Sequence, residues 1–250
     1  MSDRQGGGYG SRLENYKNPV IRKSLEIIYP PAPFFNVIPK AEKQKIQTKI
    51  FGKALNCKIL DIGSGLTKGP GSWLWRNQPK DNITRVDIVD GPNIDVVADA
   101  TDLPFANNSY DSVILQSVVE HVEDKKALLD ECVRVLKPGG HIYIEMPFLQ
   151  GLHGDPSDFW RMTQNGLRSQ LNSRNIELIL EGVSGGPMGT LIWIISDLVS
   201  YLTKRNLINL VIRFIFRWLL SPLKYLDFVI QKTPAASRTA CELYYLGTRK

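Results

Sequence analysis

The chain has 250 residues and a mass of 28.2 kDa, with 43% hydrophobic and 22% charged residues. These are ordinary values for a globular domain, and they exclude a wholly disordered chain, a collagen-like chain and a small disulfide scaffold. The net charge of +6 is unevenly placed: residues 1–183 carry 22 basic and 22 acidic side chains, whereas residues 184–250 carry 9 and 3. A basic excess within an apolar segment favours a membrane surface or an anionic partner over nucleic acid.

The N-terminal residues and the cysteines bear on the compartment. Residues 1–15 are polar and glycine-rich, which predicts a mobile tail and no secretory signal. Cys57, Cys132 and Cys241 lie far apart without a Cys-x-x-Cys pair, so we expect no metal site and a reducing compartment. The chain contains no run of eighteen uncharged apolar residues, so no membrane-spanning helix is predicted. We therefore expect a cytoplasmic protein, with a peripheral position at the inner membrane surface as the alternative.

Between residues 57 and 147, short β-rich runs alternate with a helical stretch. A helix is predicted over Lys125–Leu136, where apolar residues recur at helical spacing, and Lys137-Pro138-Gly139-Gly140 is predicted to end it. Alternating strands and helices are typical of a doubly wound α/β fold with a parallel sheet. The predicted strands are Lys58–Ile62, Ile83–Val89, Asp95–Ala98, Ser112–Leu115 and His141–Met146.

The remainder of the chain predicts a loop, more mixed α/β structure and an insertion. A loop over Phe148–Arg161 precedes a helix over Thr163–Leu171, with Thr163 as its N-cap, and then a strand over Ile176–Leu180. Gly189–Ile230 is predicted to be mostly helical and divided at Pro222. A last strand is predicted over Cys241–Gly247. We therefore expect one domain over residues 16–250, in which residues 184–239 form an apolar, basic helical insertion before the last strand.

Glycines follow the first predicted strand in the run Leu60-Asp61-Ile62-Gly63-Ser64-Gly65. Glycines here let the backbone turn tightly and approach a ligand, at the edge where open α/β sheets bind ligands. Asp87 ends the second strand, where a carboxylate can accept hydrogen bonds from both hydroxyls of a ribose. Asp99-Ala100 and Gln116 follow the third and fourth strands, so all four elements are predicted at one edge of the sheet.

The residues around the glycines distinguish among nucleoside ligands. The dinucleotide fingerprint fails, because Lys68 stands at its third glycine, and the chain has no phosphate-binding P-loop motif. Asp61 would repel a pyrophosphate but suits a cation or an amine. A positively charged nucleoside without phosphate is S-adenosylmethionine.

Five motifs, in order, resemble those of class I S-adenosylmethionine-dependent methyltransferases of the type 11 kind, some of which are encoded near glycan-assembly genes. The resemblance runs from about residue 58 to residue 182 and implies a Rossmann-like sheet. One departure is Thr67, where many members have a third glycine. The motifs are I-L-D-I-G-S-G, V-D-I, V-V-A-D-A-T-D-L-P-F, S-Y-D-S-V-I-L-Q-S-V-V-E-H-V and V-L-K-P-G-G-H-I-Y-I-E-M-P.

The resemblance implies a role for each matched residue. It assigns the methionine and ribose end of the cofactor to the first motif, the ribose to Asp87 and the adenine ring to Ile88. It assigns the adenine amino group to Asp99 and Ala100, and the border of the methyl-transfer site to Gln116. The residues implied at the methionine end are Asp61, Gly63, Ser64 and Gly65.

The loop Phe148–Arg161 follows the fifth strand and is rich in functional side chains. It resembles a loop of methyltransferases encoded near glycan-assembly genes, which implies His153 as a general base oriented by Asp155 or Asp158. An oxygen acceptor needs such a base to remove its proton, and histidine titrates in the required range. Arg161 either holds an anionic acceptor or pins the loop through Asp158. The motif of nucleic-acid amine methyltransferases is absent after the fourth strand, where Leu115-Gln116-Ser117-Val118 stands.

The insertion leaves three interpretations open: a lid, a dimer surface or an interfacial membrane anchor. Arg213 and Arg217 lie four residues apart and therefore share one helical face. For the whole chain we expect methyl transfer from S-adenosylmethionine to an oxygen of a sugar or glycolipid. A small-molecule or quinone-type acceptor is one alternative, and a cofactor-binding partner protein without activity is another.

Overall fold

The computed structural model describes residues 32, 34–52, 57–65, 73–75, 82–154, 156–200, 206–233 and 235–250. The expected tail, residues 1–15, and the position of the third glycine, Thr67, lie outside these residues. The chain divides into two compact units. The sheet unit comprises Ile38–Pro147, Asp155–Gly182 and Leu243–Lys250, and the helical unit comprises Met1–Val37, Phe148–Gly154 and Val183–Glu242.

Seven strands form one sheet in the order β3-β2-β1-β4-β5-β7-β6. Strands β1 to β5 pair in parallel. The backbone bond from Lys250 to Asn175 sets β7 antiparallel to β6, so the sheet is mixed. The strands are β1 (Ile59–Ile62), β2 (Ile83–Asp87), β3 (Val96–Val97), β4 (Tyr110–Gln116), β5 (Leu136–Pro147), β6 (Ile176–Gly185) and β7 (Glu242–Arg249).

Helices cover both faces of the sheet, which confirms the predicted doubly wound α/β class. Helix α1 (Lys40–Phe51) packs on one face through Ile46 and Ile50. Helices α2 (Lys125–Val135) and α3 (Gln164–Asn172) pack on the other. Successive strand residues alternate between the two cores: Leu60 and Ile62 belong to one and Ile59 to the other.

The local signals at the ends of the helices act largely as predicted. Thr163 caps α3, because its hydroxyl accepts a hydrogen bond from the Gly166 N–H at 3.1 Å. The run Lys137–Gly140, however, does not separate helix from strand. Tyr110 pairs with Leu136 and Ser112 pairs with His141, so these four residues bulge from β5 opposite the single residue Asp111. Strand β5 therefore begins at Leu136, five residues earlier than predicted.

The helical unit contains the segment predicted to be mostly helical. Among its described residues, the helices are α4 (Pro187–Ser200), α5 (Asn206–Leu220) and the short α6 (Asp227–Ile230), and the 3-10 turns are Ser221–Leu226 and Ala236–Arg238. Pro222 lies at the start of the first turn, so α5 ends where the sequence predicts a break. Among the helices described here, none combines the length and the hydropathy that crossing a membrane requires.

Candidate functional site

The candidate site lies at the carboxyl ends of the parallel strands of the sheet unit. The strand order reverses between β1 and β4, whose residues Ile62 and Leu115 pair. Such a reversal leaves a crevice beyond the strand ends, which is the usual ligand site of an open α/β sheet. The turn after β1 and the end of β4 therefore meet where the sequence predicts a cofactor site.

The two-glycine turn after β1 needs both of its glycines. Gly63 has a φ of +67° and Gly65 one of +70°. A Cβ on Gly63 would lie 2.4 Å from Cγ2 of Val118, whereas a Cβ on Gly65 would meet no atom within 4 Å. The turn is anchored to β2, because the N–H groups of Gly63 and Ser64 donate to the Val86 carbonyl at 2.8 and 3.2 Å. The backbone at Gly65 is thus held in place beside open space.

Asp87, at the end of β2, holds the glycine turn from the other side. Its Oδ2 accepts a hydrogen bond from the Gly65 N–H at 2.9 Å, and its Oδ1 accepts one from the Val89 N–H at 3.0 Å. Each carboxylate oxygen has a second lone pair, so both can still accept from a ribose hydroxyl. The adjacent Ile88 is 59% exposed, an apolar surface suited to an adenine ring.

Asp61 is a carboxylate within the buried strand β1, with only 6% of its surface exposed. Burial raises its pKa to about 7, against the opposing effects of the Ser64 hydroxyl and of Arg85. The Ser64 hydroxyl also donates to the Asp61 carbonyl oxygen at 3.0 Å. Desolvation disfavours the ionised form of a carboxyl group, and a cation close by would restore it.

The predicted adenine contacts lie in the loop after β3. Oδ1 of Asp99 accepts hydrogen bonds from the N–H and the hydroxyl of Thr101 at 2.8 and 2.7 Å, which lowers the pKa of Asp99. Asp99 is exposed, and Ala100 is half-buried against the sheet core. The carboxylate of Asp99 therefore fixes its own turn as well as facing solvent.

Gln116 ends β4 and belongs to a buried network that the sequence analysis missed. Its side-chain amide donates to Glu145 at 2.8 Å, and Glu145 also accepts from the Tyr143 hydroxyl at 2.5 Å and the Trp73 indole at 3.3 Å. Burial raises the pKa of Glu145, and these three hydrogen bonds oppose the increase. The sequence feature that could have indicated this network is the carboxylate of Glu145 within the apolar run H-I-Y-I-E-M. Gln116 is thereby held in one orientation at the strand end.

The residue after Gln116 adopts a strained backbone. Ser117 has a φ of +54°, a left-handed conformation that is uncommon for residues other than glycine. Its N–H donates to the Glu145 carbonyl at 3.0 Å. Backbone strain of this kind concentrates at functional sites. In this chain the strained residue follows the end of β4, one of the two strands between which the strand order of the sheet reverses.

The predicted catalytic residues do not all fall in one unit. His153 lies in the helical unit, with Nδ1 3.2 Å from the Gly151 carbonyl and its ring centroid 6.0 Å from that of Trp193. Asp155 lies outside the described residues. Asp158 lies in the sheet unit. The role of His153 as a general base stays a prediction.

Asp158 and Arg161 form an ion pair within the loop. The guanidinium donates to both oxygens of the fully buried Asp158 carboxylate, at 2.5 and 2.8 Å. The Trp160 indole donates to the carbonyls of Val122 and Glu123 at 3.0 and 3.1 Å. These contacts favour the interpretation in which Asp158 and Arg161 pin the loop.

Over part of its length, the chain is similar to known methyltransferases. Residues 60–144 match the family model described as a methyltransferase domain. The chain is 27% identical over 172 residues to the methyltransferase GfsG of Streptomyces halstedii. The alignment covers 61% of this chain and 61% of GfsG. It is 46% identical over 54 residues to a demethylmenaquinone methyltransferase of Renibacterium salmoninarum, covering 21% of this chain and 23% of that one.

The fold resembles that of a methyltransferase solved with its cofactor. Haemonchus contortus phosphoethanolamine N-methyltransferase 2, in complex with S-adenosyl-L-methionine, superposes with a TM-score of 0.50 at 15% identity, over 98% of this chain and 60% of that one. Residues 60–144 are therefore similar to a methyltransferase domain, and the superposition shows a shared fold. This chain spans about six tenths of the length of GfsG and under a quarter of the demethylmenaquinone enzyme.

The residues of the candidate site fit S-adenosylmethionine. The backbone turns tightly beside open space at Gly65, a carboxylate stands at the end of β2, and an apolar side chain is exposed next to it. The buried carboxyl group of Asp61 suits a cationic group. The sheet unit brings Asp61, Gly63, Ser64, Gly65 and Asp87 together around one turn.

Proposed function

We propose that this chain transfers a methyl group from S-adenosylmethionine to a small acceptor. The observation that carries the proposal is the glycine turn held by Asp87 at the strand-order reversal, within the segment that matches a methyltransferase domain. The cofactor supplies a methyl group already activated on a sulfonium, so positioning of the acceptor accounts for much of the catalysis.

In this proposal each residue of the site has a defined role. Asp87 accepts from the ribose hydroxyls while it holds the Gly65 backbone, and Ile88 covers the adenine ring. Asp99 and Ala100 bound the adenine amino group. Asp61 in its ionised form offsets the cofactor's positive charge, and Gln116, oriented by Glu145, borders the reacting methyl group.

The acceptor that we propose is an oxygen of a sugar or glycolipid. The loop Phe148–Arg161 supports it, because it offers His153 to take the proton of a hydroxyl group. The ion pair of Asp158 with Arg161 supports a fixed loop, and Nδ1 of His153 lies 3.2 Å from the Gly151 carbonyl.

A quinone-type acceptor is the second candidate. Its support is the similarity of a short segment to demethylmenaquinone methyltransferases, 46% identical over 54 residues in one case. Quinones and glycolipids both reside in membranes. For either acceptor, we infer that this chain acts in the cytoplasm at the inner membrane surface.

The test supplies the purified full chain with radiolabelled S-adenosylmethionine and, separately, a glycolipid fraction, a quinone fraction and no acceptor. We expect label in glycolipid as a base-stable ether and release of S-adenosylhomocysteine only with that fraction. Label in the quinone fraction alone establishes the second candidate. Cofactor binding without release in any arm shows a binding partner protein and overturns the proposal.

Variants of the loop test the general base. His153→Ala should lose turnover and keep cofactor binding, because the histidine acts only on the acceptor. Leu152→Ala, a change at an exposed neighbour, is the matched control and should retain both. Unchanged turnover in His153→Ala contradicts the role of His153.

A further inference from the structure

The outer faces of two helices in the helical unit are apolar and exposed. On α4 the exposed residues Leu191, Ile194 and Leu198 follow the spacing i, i+3, i+7, which places them on one helical face. Helix α5 has the same pattern over a longer stretch. Its exposed apolar residues are Ile208, Val211, Ile215, Trp218 and Leu219.

The charged side chains of α5 lie on its opposite side, where both contact α4. Arg217 is buried, with its guanidinium carbon 5.6 Å from the ring centroid of Trp193 on α4. Arg213 pairs with Asp197 on α4 at 2.8 Å. At about 100° per residue, both arginines stand across the helix from Ile215. The helix thus reverses the usual arrangement, in which the polar face meets water.

Exposed apolar residues recur in the elements after α5. In the 3-10 turn Ser221–Leu226, Tyr225 and Leu226 are exposed, and on α6 Phe228 and Val229 are exposed. We call the exposed apolar residues of α4, α5, this turn and α6 the apolar face. Leu219 and Val229 are 69% and 68% exposed, so large apolar side chains of the helical unit are strongly exposed to solvent.

Charge within this part of the chain favours an anionic occupant. Residues 184–250 contain three acidic side chains, and none projects from the apolar face. Asp197 pairs with Arg213, Asp227 accepts the N–H groups of Met188 and Gly189, and Glu242 is buried against Ser184. Lys232 and Arg238, shortly after α6 in the chain, are exposed cations.

We propose that the apolar face is a docking surface for a lipid bilayer that contains anionic lipids. An apolar helical face inserts into the boundary between headgroups and acyl chains, and anionic headgroups complement exposed cations such as Lys232, three residues after Val229 of α6. A second copy of this chain would not supply that complementary charge, because residues 184–250 contain 9 basic and 3 acidic side chains. The inference does not depend on methyl transfer, because binding to lipid requires neither cofactor nor acceptor.

The test is flotation of the full chain with vesicles of phosphatidylcholine alone or with phosphatidylglycerol added. We expect binding to the mixed vesicles, at least tenfold weaker in Ile215→Asp/Leu219→Asp. Lys232→Ala and Arg238→Ala should each lower binding about fivefold. The matched control is Val97→Asp, an exposed apolar residue of the sheet unit, which should bind as wild type does.

All of these side chains are exposed, so thermal unfolding should show that the variants remain folded. Absence of binding by the folded wild-type chain overturns the proposal, as does equal binding by Ile215→Asp/Leu219→Asp. A wild-type dimer that ignores vesicles, and that this double variant dissociates, would assign the face to a second copy of the chain.

Discussion

The backbone N–H of Gly65 donates to the carboxylate of Asp87 across 22 residues of sequence, at 2.9 Å. This hydrogen bond joins the turn after β1 to the end of β2. The same carboxylate that is proposed to bind the ribose therefore also shapes the turn on which the cofactor would lie. If the proposal holds, ligand binding and loop geometry are coupled at this residue.

Gly63→Ala should destabilise the chain strongly. The new Cβ would lie 2.4 Å from Val118 and impose an alanine at a φ of +67°. The left-handed backbone costs about 1 kcal/mol and the overlap about 1–3 kcal/mol. Urea unfolding measures the loss. In Gly65→Ala the new Cβ meets no atom within 4 Å, so this variant should lose only the free energy that the left-handed backbone costs. Equal losses in the two variants would contradict the packing of Gly63 against Val118.

The affinity for S-adenosylmethionine should rise with pH through the titration of Asp61. Burial raises the pKa of Asp61 to about 7, so the carboxyl group is mainly protonated at pH 6 and mainly ionised at pH 8. A cationic ligand prefers the ionised form, which predicts an increase of about tenfold over this range. Asp61→Asn should abolish that increase. Calorimetric titrations at both pH values measure it, and a parallel rise in the variant would exclude Asp61 as its source.

Asp61 should also make stability depend on pH. Its folded pKa is raised above the unfolded value, so the folded state holds the extra proton between about pH 4 and 7. The free energy of unfolding contributed by this group therefore falls as pH rises. The Asp61→Asn variant should be more stable than wild type at pH 8. Its gain in free energy of unfolding over wild type should be smaller at pH 5. A difference between the two proteins that does not vary with pH would refute this.

Glu145→Gln should destabilise the sheet unit by about 1–3 kcal/mol. The carboxylate accepts three side-chain hydrogen bonds from Trp73, Gln116 and Tyr143, and an amide places a donor among these donors. Denaturant unfolding measures the loss. Glu177→Gln, on the exposed side of β6, is the control and should change little. A Glu145→Gln variant as stable as the control would show that the network contributes nothing.

Asp227→Ala should weaken the helical unit. Asp227 accepts hydrogen bonds from the Met188 and Gly189 N–H groups at 2.9 and 3.2 Å and so caps the first turn of α4. Loss of such a cap costs about 0.5–2 kcal/mol. Asp227→Asn keeps one acceptor and should lose less. Amide hydrogen exchange along α4 reports the effect, and unchanged protection in the alanine variant would contradict it.

Local patterns predicted the strands and the glycine turn because those features depend on neighbouring residues. Gly63 and Asp87 each end a β-rich run, and parallel strands bring such ends to one edge. The Glu145 network was not predictable in this way, since Trp73 and Gln116 come from distant parts of the chain.

The same limit holds for the loop and the insertion. Spacing placed Arg213 and Arg217 on one helical face, but only their contacts with Asp197 and Trp193 show that this face lies against α4. The pairing of Asp158 with Arg161 was one of two interpretations, and the sequence held no feature that decided between them.

The most direct test of the proposed site is calorimetric titration of the folded chain with S-adenosylmethionine, with NADH as the control ligand. Wild type should bind one equivalent of S-adenosylmethionine and no NADH. Asp87→Asn should bind at least tenfold more weakly, because it loses the charge that holds the ribose and the turn. Asp90→Asn, an exposed neighbour, should bind as wild type does. A folded wild-type chain that binds no S-adenosylmethionine, or an Asp87→Asn variant of equal affinity, would contradict the assignment of this site.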